Sequence, residues 1–205
     1  MQKQVIILNG MARSGKQEVY NILNSKIPCE QYSIVDPVRD FLKRVGVPDN
    51  AKSEEWRKLV SDIKLGLEAY GDIPYQCCRE KILDFLRCSP AKFLCIDMRE
   101  EQDIARAREE FGAIVVLVRR NGIKDIKSNP ADANVYNIRY DHTILNNEGF
   151  NELTKEADGF IEWIADYKCS GVVSSYCLRL DCKHCMVLMI MIYITRILEQ
   201  EMILQ

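Results

Sequence analysis

Charge of one sign is missing from this chain: 28 lysines and arginines stand against 30 aspartates and glutamates, a formal net charge of −2. Without a basic excess there is no electrostatic footprint for nucleic acid or for an anionic membrane surface, and neither partner is expected. Long hydrophobic runs are missing too. The longest, Met186 to Ile194, falls well short of the roughly 20 residues that a membrane-spanning helix needs. The early apolar stretch Val5 to Leu8 is too short for the core of a secretory leader, and no small-residue cleavage site follows it. No internal repeat or low-complexity block stands out. Histidine is scarce: His142 and His184 are the only two, and neither belongs to a visible Cys/His or Ser/His catalytic set. His142, in an expected strand, reads as an ordinary packed or edge residue.

Cysteine, by contrast, is plentiful. Nine thiols without a secretory leader point to reduced side chains in a cytoplasmic protein. Of Cys169, Cys177, Cys182 and Cys185, only the last two, in Cys182-Lys-His-Cys185, have the spacing of a zinc pair. No second close pair faces them, and the adjacent Cys77 and Cys78 are poorly placed for a shared tetrahedral site. Reduced, partly buried thiols are the expectation. At 205 residues the chain suits one domain with a modest insertion or tail, large enough to bury a core.

The stretch that carries chemistry is Gly10-Met11-Ala12-Arg13-Ser14-Gly15-Lys16, directly after Val5 to Leu8. It matches G-x-x-x-x-G-K, the loop that cradles phosphates. A buried strand delivers the chain to a tight turn, and a helix leaves that turn near Lys16. Small residues let successive backbone N–H groups face one anion site, and the helix N-terminus adds its dipole. Lys16 supplies a compact positive charge to the outer phosphates. Arg13, inside the loop, could lie over a nucleotide base or be an exposed loop arginine. One position departs from the motif: Gln17 stands where a Ser or Thr hydroxyl would hold Mg²⁺, with Glu18 next. An amide copies a hydroxyl poorly on that metal, so Mg²⁺ must lean on other oxygen ligands.

Strands and helices alternate along the rest of the chain. Gln17 to Ser25 reads as a short helix stopping before Pro28, and Gln31 to Val35 as a brief strand. Asp36 is a natural N-cap with Pro37 at the first position of a helix ending near Gly46. Ser53 caps an amphipathic helix with Trp56, Leu59, Val60, Ile63, Leu67 and Tyr70 at helical spacing. Another helix runs from about Tyr75 to Arg87. Phe93 to Ile96 is a buried parallel strand, ending in Asp97-Met98-Arg99-Glu100. A charged helix follows to Phe111, with Gly112 in the terminating position.

Ala113 to Val118 is the clearest strand. The polar segment from Arg119 to Asp141 is too long for an ordinary connection and is a candidate lid. His142 to Leu145 reads as a last strand and Phe150 to Tyr167 as the helix behind it. The pattern predicts an α/β fold, a parallel sheet with helices on both faces. Asp97, at a strand's carboxyl end, is placed either to hold Mg²⁺ through water or to cap the next helix. From Lys168 onward the composition changes. The apolar run there suits a packing helix, an oligomer contact such as a homodimer, or an unnatural extension.

Taken together these residues resemble the nucleoside monophosphate kinases, and most nearly the phage-type deoxynucleoside monophosphate kinases. There the loop often reads A-R-S-G-K-D-T, against Ala12-Arg13-Ser14-Gly15-Lys16-Gln17-Glu18 here. Tyr140-Asp141-His142-Thr143-Ile144-Leu145-Asn146-Asn147, followed by a helix bearing Leu153, looks like that family's last strand and final helix. The likeness covers roughly residues 4 to 167 and leaves 168–205 aside. It implies a P-loop three-layer sandwich over residues 1–167, with a helical acceptor-binding insertion at 36–88 and a lid at 119–141.

It further implies transfer of the γ-phosphate of ATP, with Mg²⁺, to a (deoxy)nucleoside monophosphate. The loop from Gly10 to Gln17 would hold the donor nucleotide. Arg99 would sit on the acceptor phosphate, a task suited to a bidentate guanidinium, or else pair with Glu100 or Glu101. Asp36 and Arg39 fall in the acceptor-gripping region and could equally be capping and surface residues. Arg119, Arg120, Lys124 and Arg139 would be lid cations, or a solvated face. Neutralised phosphoryl charge, in-line alignment and exclusion of water are what such a transfer needs. A kinase of a non-nucleotide acceptor and a catalytically silent nucleotide-binding protein are the competing expectations.

Overall fold

The computed structural model describes residues 2–50, 53–122, 135 and 138–169. The tail cysteines beyond Cys169, His184, the run 186–194 and the lid residue Lys124 lie outside them. The chain order is β1 (Gln4–Asn9), α1 (Lys16–Lys26), β2 (Cys29–Ser33), α2 (Asp36–Arg44), α3 (Glu54–Gly71), α4 (Ile73–Cys88), β3 (Phe93–Asp97), α5 (Glu101–Phe111), β4 (Ile114–Arg119), β5 (His142–Leu145) and α6 (Phe150–Cys169). Five strands form one sheet in the order β2-β3-β1-β4-β5. Every pairing is parallel.

The three inner strands are apolar at nearly every position because both faces are covered. Val5, Ile7, Leu94, Ile96 and Val115 face Tyr75, Ile82 and Phe85 of α4 and Ile104 and Ala107 of α5. Ile6, Leu8, Phe93, Cys95, Val116 and Val118 face Val19, Ile22 and Leu23 of α1 and Leu153, Ala157, Phe160 and Ile164 of α6. Successive residues of one strand therefore serve opposite layers, the period-two rule of a strand. The result is the expected three-layer sandwich. α2 and α3 stand off it with a small core of their own, Val38, Leu42, Trp56 and Val60. No helix among the described residues is long and apolar enough to cross a membrane.

Three local expectations change. β2 runs from Cys29 to Ser33, two residues earlier than Gln31 to Val35. It is an edge strand whose residues are half-buried or exposed, so no apolar run marks its limits. Asp36 is the first helical residue rather than the cap: Val35 takes the cap position. The Asp36 carboxylate turns back instead and accepts a hydrogen bond from the Ser33 N–H at 2.7 Å. In α3 the buried stripe is Trp56, Val60 and Lys64, while Tyr70 is 85% exposed. α3 packs mainly on α4 and α2, so fewer of its apolar positions are covered.

Other expectations hold in detail. Ser53 Oγ accepts from the Trp56 N–H at 3.0 Å and caps α3. Gly112 ends α5 in the left-handed conformation. The His142 ring lies 5.1 Å from Phe160 and 4.9 Å from Trp163, centroid to centroid. Burial pushes its pKa down. It is a packed histidine.

Candidate functional site

The sheet order reverses around β1, whose carboxyl end is the crevice where open α/β sheets bind ligands. Leu8 is in register with Asp97, and Asp97 with Ser33, so the ends of β1, β3 and β2 lie level. The loop after β1, the turn after β3 and the start of α2 thus share one edge. Arg119 ends β4 on the same edge and its carbonyl accepts from the Asn146 N–H at 2.8 Å. The fold therefore gathers there Gly10 to Gln17, Asp36, Arg39, Asp97, Arg99, Arg119 and Arg120, the residues singled out from sequence.

The loop itself is built around two glycines. Gly10 has φ +147° and Gly15 φ +101°, and Arg13 is also left-handed at φ 66°. The Gly10 N–H donates to Asn9 Oδ1 at 2.6 Å, and the Ser14 N–H to Met11 O at 3.2 Å. Lys16 Nζ reaches back to Gly10 O at 2.9 Å and Met11 O at 3.3 Å. Gly15 occupies the cap position of α1 and no side chain caps that helix, the arrangement in which an anion can serve as the cap. Asn146, just past β5, donates from Nδ2 to Ser14 O at 2.9 Å. A Cβ on Gly15 would stand 2.2 Å from that same nitrogen. Asn147 Oδ1 accepts from the Asn121 N–H at 2.7 Å, tying the root of the polar segment to the same turn.

Six buried side-chain polar atoms lack a hydrogen-bond partner among the described residues: Asn9 Nδ2, Ser14 Oγ, Arg39 Nε, Trp56 Nε1, Asp97 Oδ1 and Glu100 Oε2. Buried polar groups are ordinarily paired. These six belong to the strand-end edge or to the α2–α3 pair.

Asp97 does not cap α5. That helix begins at Glu101 with Glu100 in the cap position. Arg39 pairs with Asp36 at 3.1 Å and lies 5.7 Å above the Trp56 ring. Arg13, Arg119 and Arg120 are exposed, and Arg99 is half-buried. Arg139 offers its carbonyl to Arg108 at 2.8 Å, and Arg108 also pairs with Asp141 at 3.1 Å. Gln17 is turned away from the loop. Its amide exchanges two hydrogen bonds with Gln31 of β2, at 3.2 and 3.0 Å, and one with Asn21 at 3.1 Å. It offers no ligand to a metal in this conformation, whereas the half-buried Asp97 has one carboxylate oxygen without a hydrogen-bond partner.

Sequence reasoning missed the roles of Asn9, Asn146 and Gln31. An asparagine ending an apolar strand before the loop is a weak signal for Asn9. The Asn146 contact spans 132 positions and has no local signature.

Fold and loop together define a P-loop α/β protein. No family model matches the chain, and no curated protein matches it. Solved structures give partial likenesses. An unliganded sugar kinase from Janibacter sp. has a TM-score of 0.46 and 11% identity, covering 79% of this chain and 95% of its own. Shikimate kinase from Aquifex aeolicus gives 0.45 and 15%, over 79% and 98%. TT1252 from Thermus thermophilus gives 0.48 and 14%, over 80% and 98%. At these scores and identities the likeness carries no argument about reaction or acceptor.

Proposed function

We propose that the chain is an ATP-dependent phosphotransferase acting on a (deoxy)nucleoside monophosphate. The observation that carries this reading is the phosphate-type loop at the strand-end edge, where Asn9 Nδ2, Ser14 Oγ and Asp97 Oδ1 lack hydrogen-bond partners. In this reading Lys16 exchanges its two loop carbonyls for β- and γ-phosphate oxygens, a stronger, charge-assisted pairing. The N–H groups at the start of α1 complete the cradle. Arg99 and Arg39 approach the acceptor phosphate from the β3 and α2 sides, and Arg119 or Arg120 neutralises charge on the transferring group. Mg²⁺, when bound, would spread the phosphate charge, with Asp97 as its protein ligand through water. The transfer must exclude water, because an open site would hydrolyse ATP instead.

Gln17 favours a second reading, a nucleotide-binding protein without turnover, because its amide is committed to Gln31 and Asn21. Two measurements separate the readings. A thermal-shift screen of nucleoside mono-, di- and triphosphates with and without Mg²⁺ should show ATP raising the melting temperature. A ligand at 100 times its Kd adds about 2.7 kcal/mol. Lys16→Met should remove that shift. Coupled ADP-release assays over nucleotide and non-nucleotide acceptors then give the substrate. A shift with no turnover on any acceptor establishes the silent reading, preference for a non-nucleotide overturns the acceptor, and no shift with any nucleotide overturns both.

Asn146→Ala offers a finer check on the cradle. Losing one hydrogen bond to the Ser14 carbonyl costs about 1 kcal/mol, so ATP affinity by titration calorimetry should fall about fivefold while the fold persists. Unchanged affinity would mean that the loop keeps its shape without this clamp.

A further inference from the structure

Lys64 is the anomaly of the acceptor-side helices. The buried stripe of α3 runs Trp56, Val60, Lys64 at successive helical turns. The first two pack with Val38 and Leu42 of α2, but the third is a lysine only 5% exposed. Its ammonium lies 2.5 Å from Glu68 on its own helix and 2.6 Å from Glu100 Oε1 in the turn between β3 and α5. Burial is the largest single influence on Lys64 and opposes its charge. The hydrogen bonds and charges of Glu100 and Glu68 together outweigh it and hold its pKa above the ordinary lysine value. The ammonium is buried while the carboxylates of Glu68 and Glu100 reach partly into solvent, so the lysine is the group that depends on the contact: a buried charge without a partner is strongly destabilising. Such a pair acts as a pin that admits one geometry.

What the pin holds is informative. Glu100 is fixed at both ends: its carbonyl accepts from the Ile104 N–H at 3.0 Å and its carboxylate takes Lys64. Arg99 is its immediate neighbour. Asp97, at the other end of this four-residue turn, accepts from the Ile34 N–H through its carbonyl at 3.3 Å. A displacement of α3 is therefore delivered to the turn that bears Asp97 and Arg99.

We propose that Lys64 is a positioning residue that, through Glu100, couples the placement of α3 to the aim of Arg99 on the acceptor phosphate. The kinetic part rests on the phosphotransferase reading; the coupling of α3 to residues 97–100 does not.

The test uses the full chain and the variants Lys64→Met, Glu100→Gln and the double Lys64→Met/Glu100→Met. Steady-state kinetics and amide hydrogen exchange are followed together. Lys64→Met should raise the acceptor KM about tenfold, leave the ATP KM within twofold, and speed exchange at the amides of residues 98–101. The double variant leaves only the partly exposed Glu68 carboxylate without Lys64, so most of the lost melting temperature should recover while the acceptor KM stays high. A merely structural lysine would show both recovering together, and that result overturns the proposal. So does an unchanged acceptor KM in a folded Lys64→Met. Should Lys64→Met fail to fold, Glu100→Gln, which removes the charge that holds Lys64 to the turn while Glu68 still neutralises it, must show the same split, or the proposal falls. If the unaltered chain turns over no acceptor, the phosphotransferase reading fails by itself. Exchange at 98–101 then decides: faster exchange in Lys64→Met supports the coupling, and unchanged exchange ends it.

Discussion

Gly10→Ala should lower ATP affinity at least a hundredfold in a chain that still folds. The backbone there has φ +147°, and an added Cβ would sit 2.3 Å from the Val118 carbonyl oxygen and 2.9 Å from Ser14 Oγ. The first obstacle is main chain of a central strand and cannot give way. Either the loop lifts off β4 or residue 10 rotates to negative φ. Both moves break the 2.6 Å bond from the Gly10 N–H to Asn9 and shift the Gly10 carbonyl that receives Lys16. Residues held in such backbone regions cost of order 1–3 kcal/mol, and overpacking adds about 1–3 kcal/mol more.

A hundredfold loss is about 2.7 kcal/mol, well within that range. Gly46→Ala is the matched control, since Gly46 is also left-handed at φ +83° but has nothing within 4 Å of an added Cβ. It should lose some stability and no affinity. Calorimetric titration with ATP alongside thermal melts separates the two effects. Normal binding by Gly10→Ala would mean that phosphate does not sit in this loop.

Why the loop could be read from the chain and Lys64 could not is a matter of range. β1, β3 and β4 are buried on both faces, so each appears as an unbroken apolar run, and the glycine-lysine spacing of the loop is complete within seven residues. β2 lies at the edge with half-buried side chains, and its limits were misplaced for that reason. On α3, Leu59 and Tyr70 keep helical spacing but stay 40% and 85% exposed, because the helix packs mainly against α2 and α4. A lysine on an apolar face makes sense only beside Glu100, 36 positions later. The Asn146 clamp is further still. Local periodicity and motif spacing carry the scaffold and the phosphate cradle, while the contacts that brace them are long-range pairings of polar residues.

The same long-range packing makes Asp103 a liability above neutral pH. It is 8% exposed on α5. Burial first, then the charges of Glu100 and Glu68, push its pKa from an ordinary 3.8 to about 6, against the opposing pull of Lys64 and Arg106. Arg106 relieves it weakly. The guanidinium is 3.7 Å from Asp103, but it is committed to Asp72 at 3.0 and 2.6 Å and stacks 3.5 Å over Tyr75. A folded-state pKa above the unfolded one means that the native protein holds the proton more tightly. The stabilisation is full below about pH 4 and is lost as pH rises through about 6, a span worth roughly 3 kcal/mol.

Asp103→Asn keeps the shape and removes the charge. It should therefore stabilise the protein by about 2–3 kcal/mol at pH 8, or roughly 5–10 °C in melting temperature, and by almost nothing near pH 4. The comparison must be between variant and unaltered chain at each pH, because other carboxylates titrate in the opposite sense. Glu30, whose pKa is lowered mainly by hydrogen bonds from Lys81 and Ser89, loses its stabilising contribution as pH falls. A destabilised Asp103→Asn at pH 8 would show that the ionised carboxylate is a needed partner of Lys64 and Arg106, and that the buried charges there are balanced rather than one carboxylate in excess.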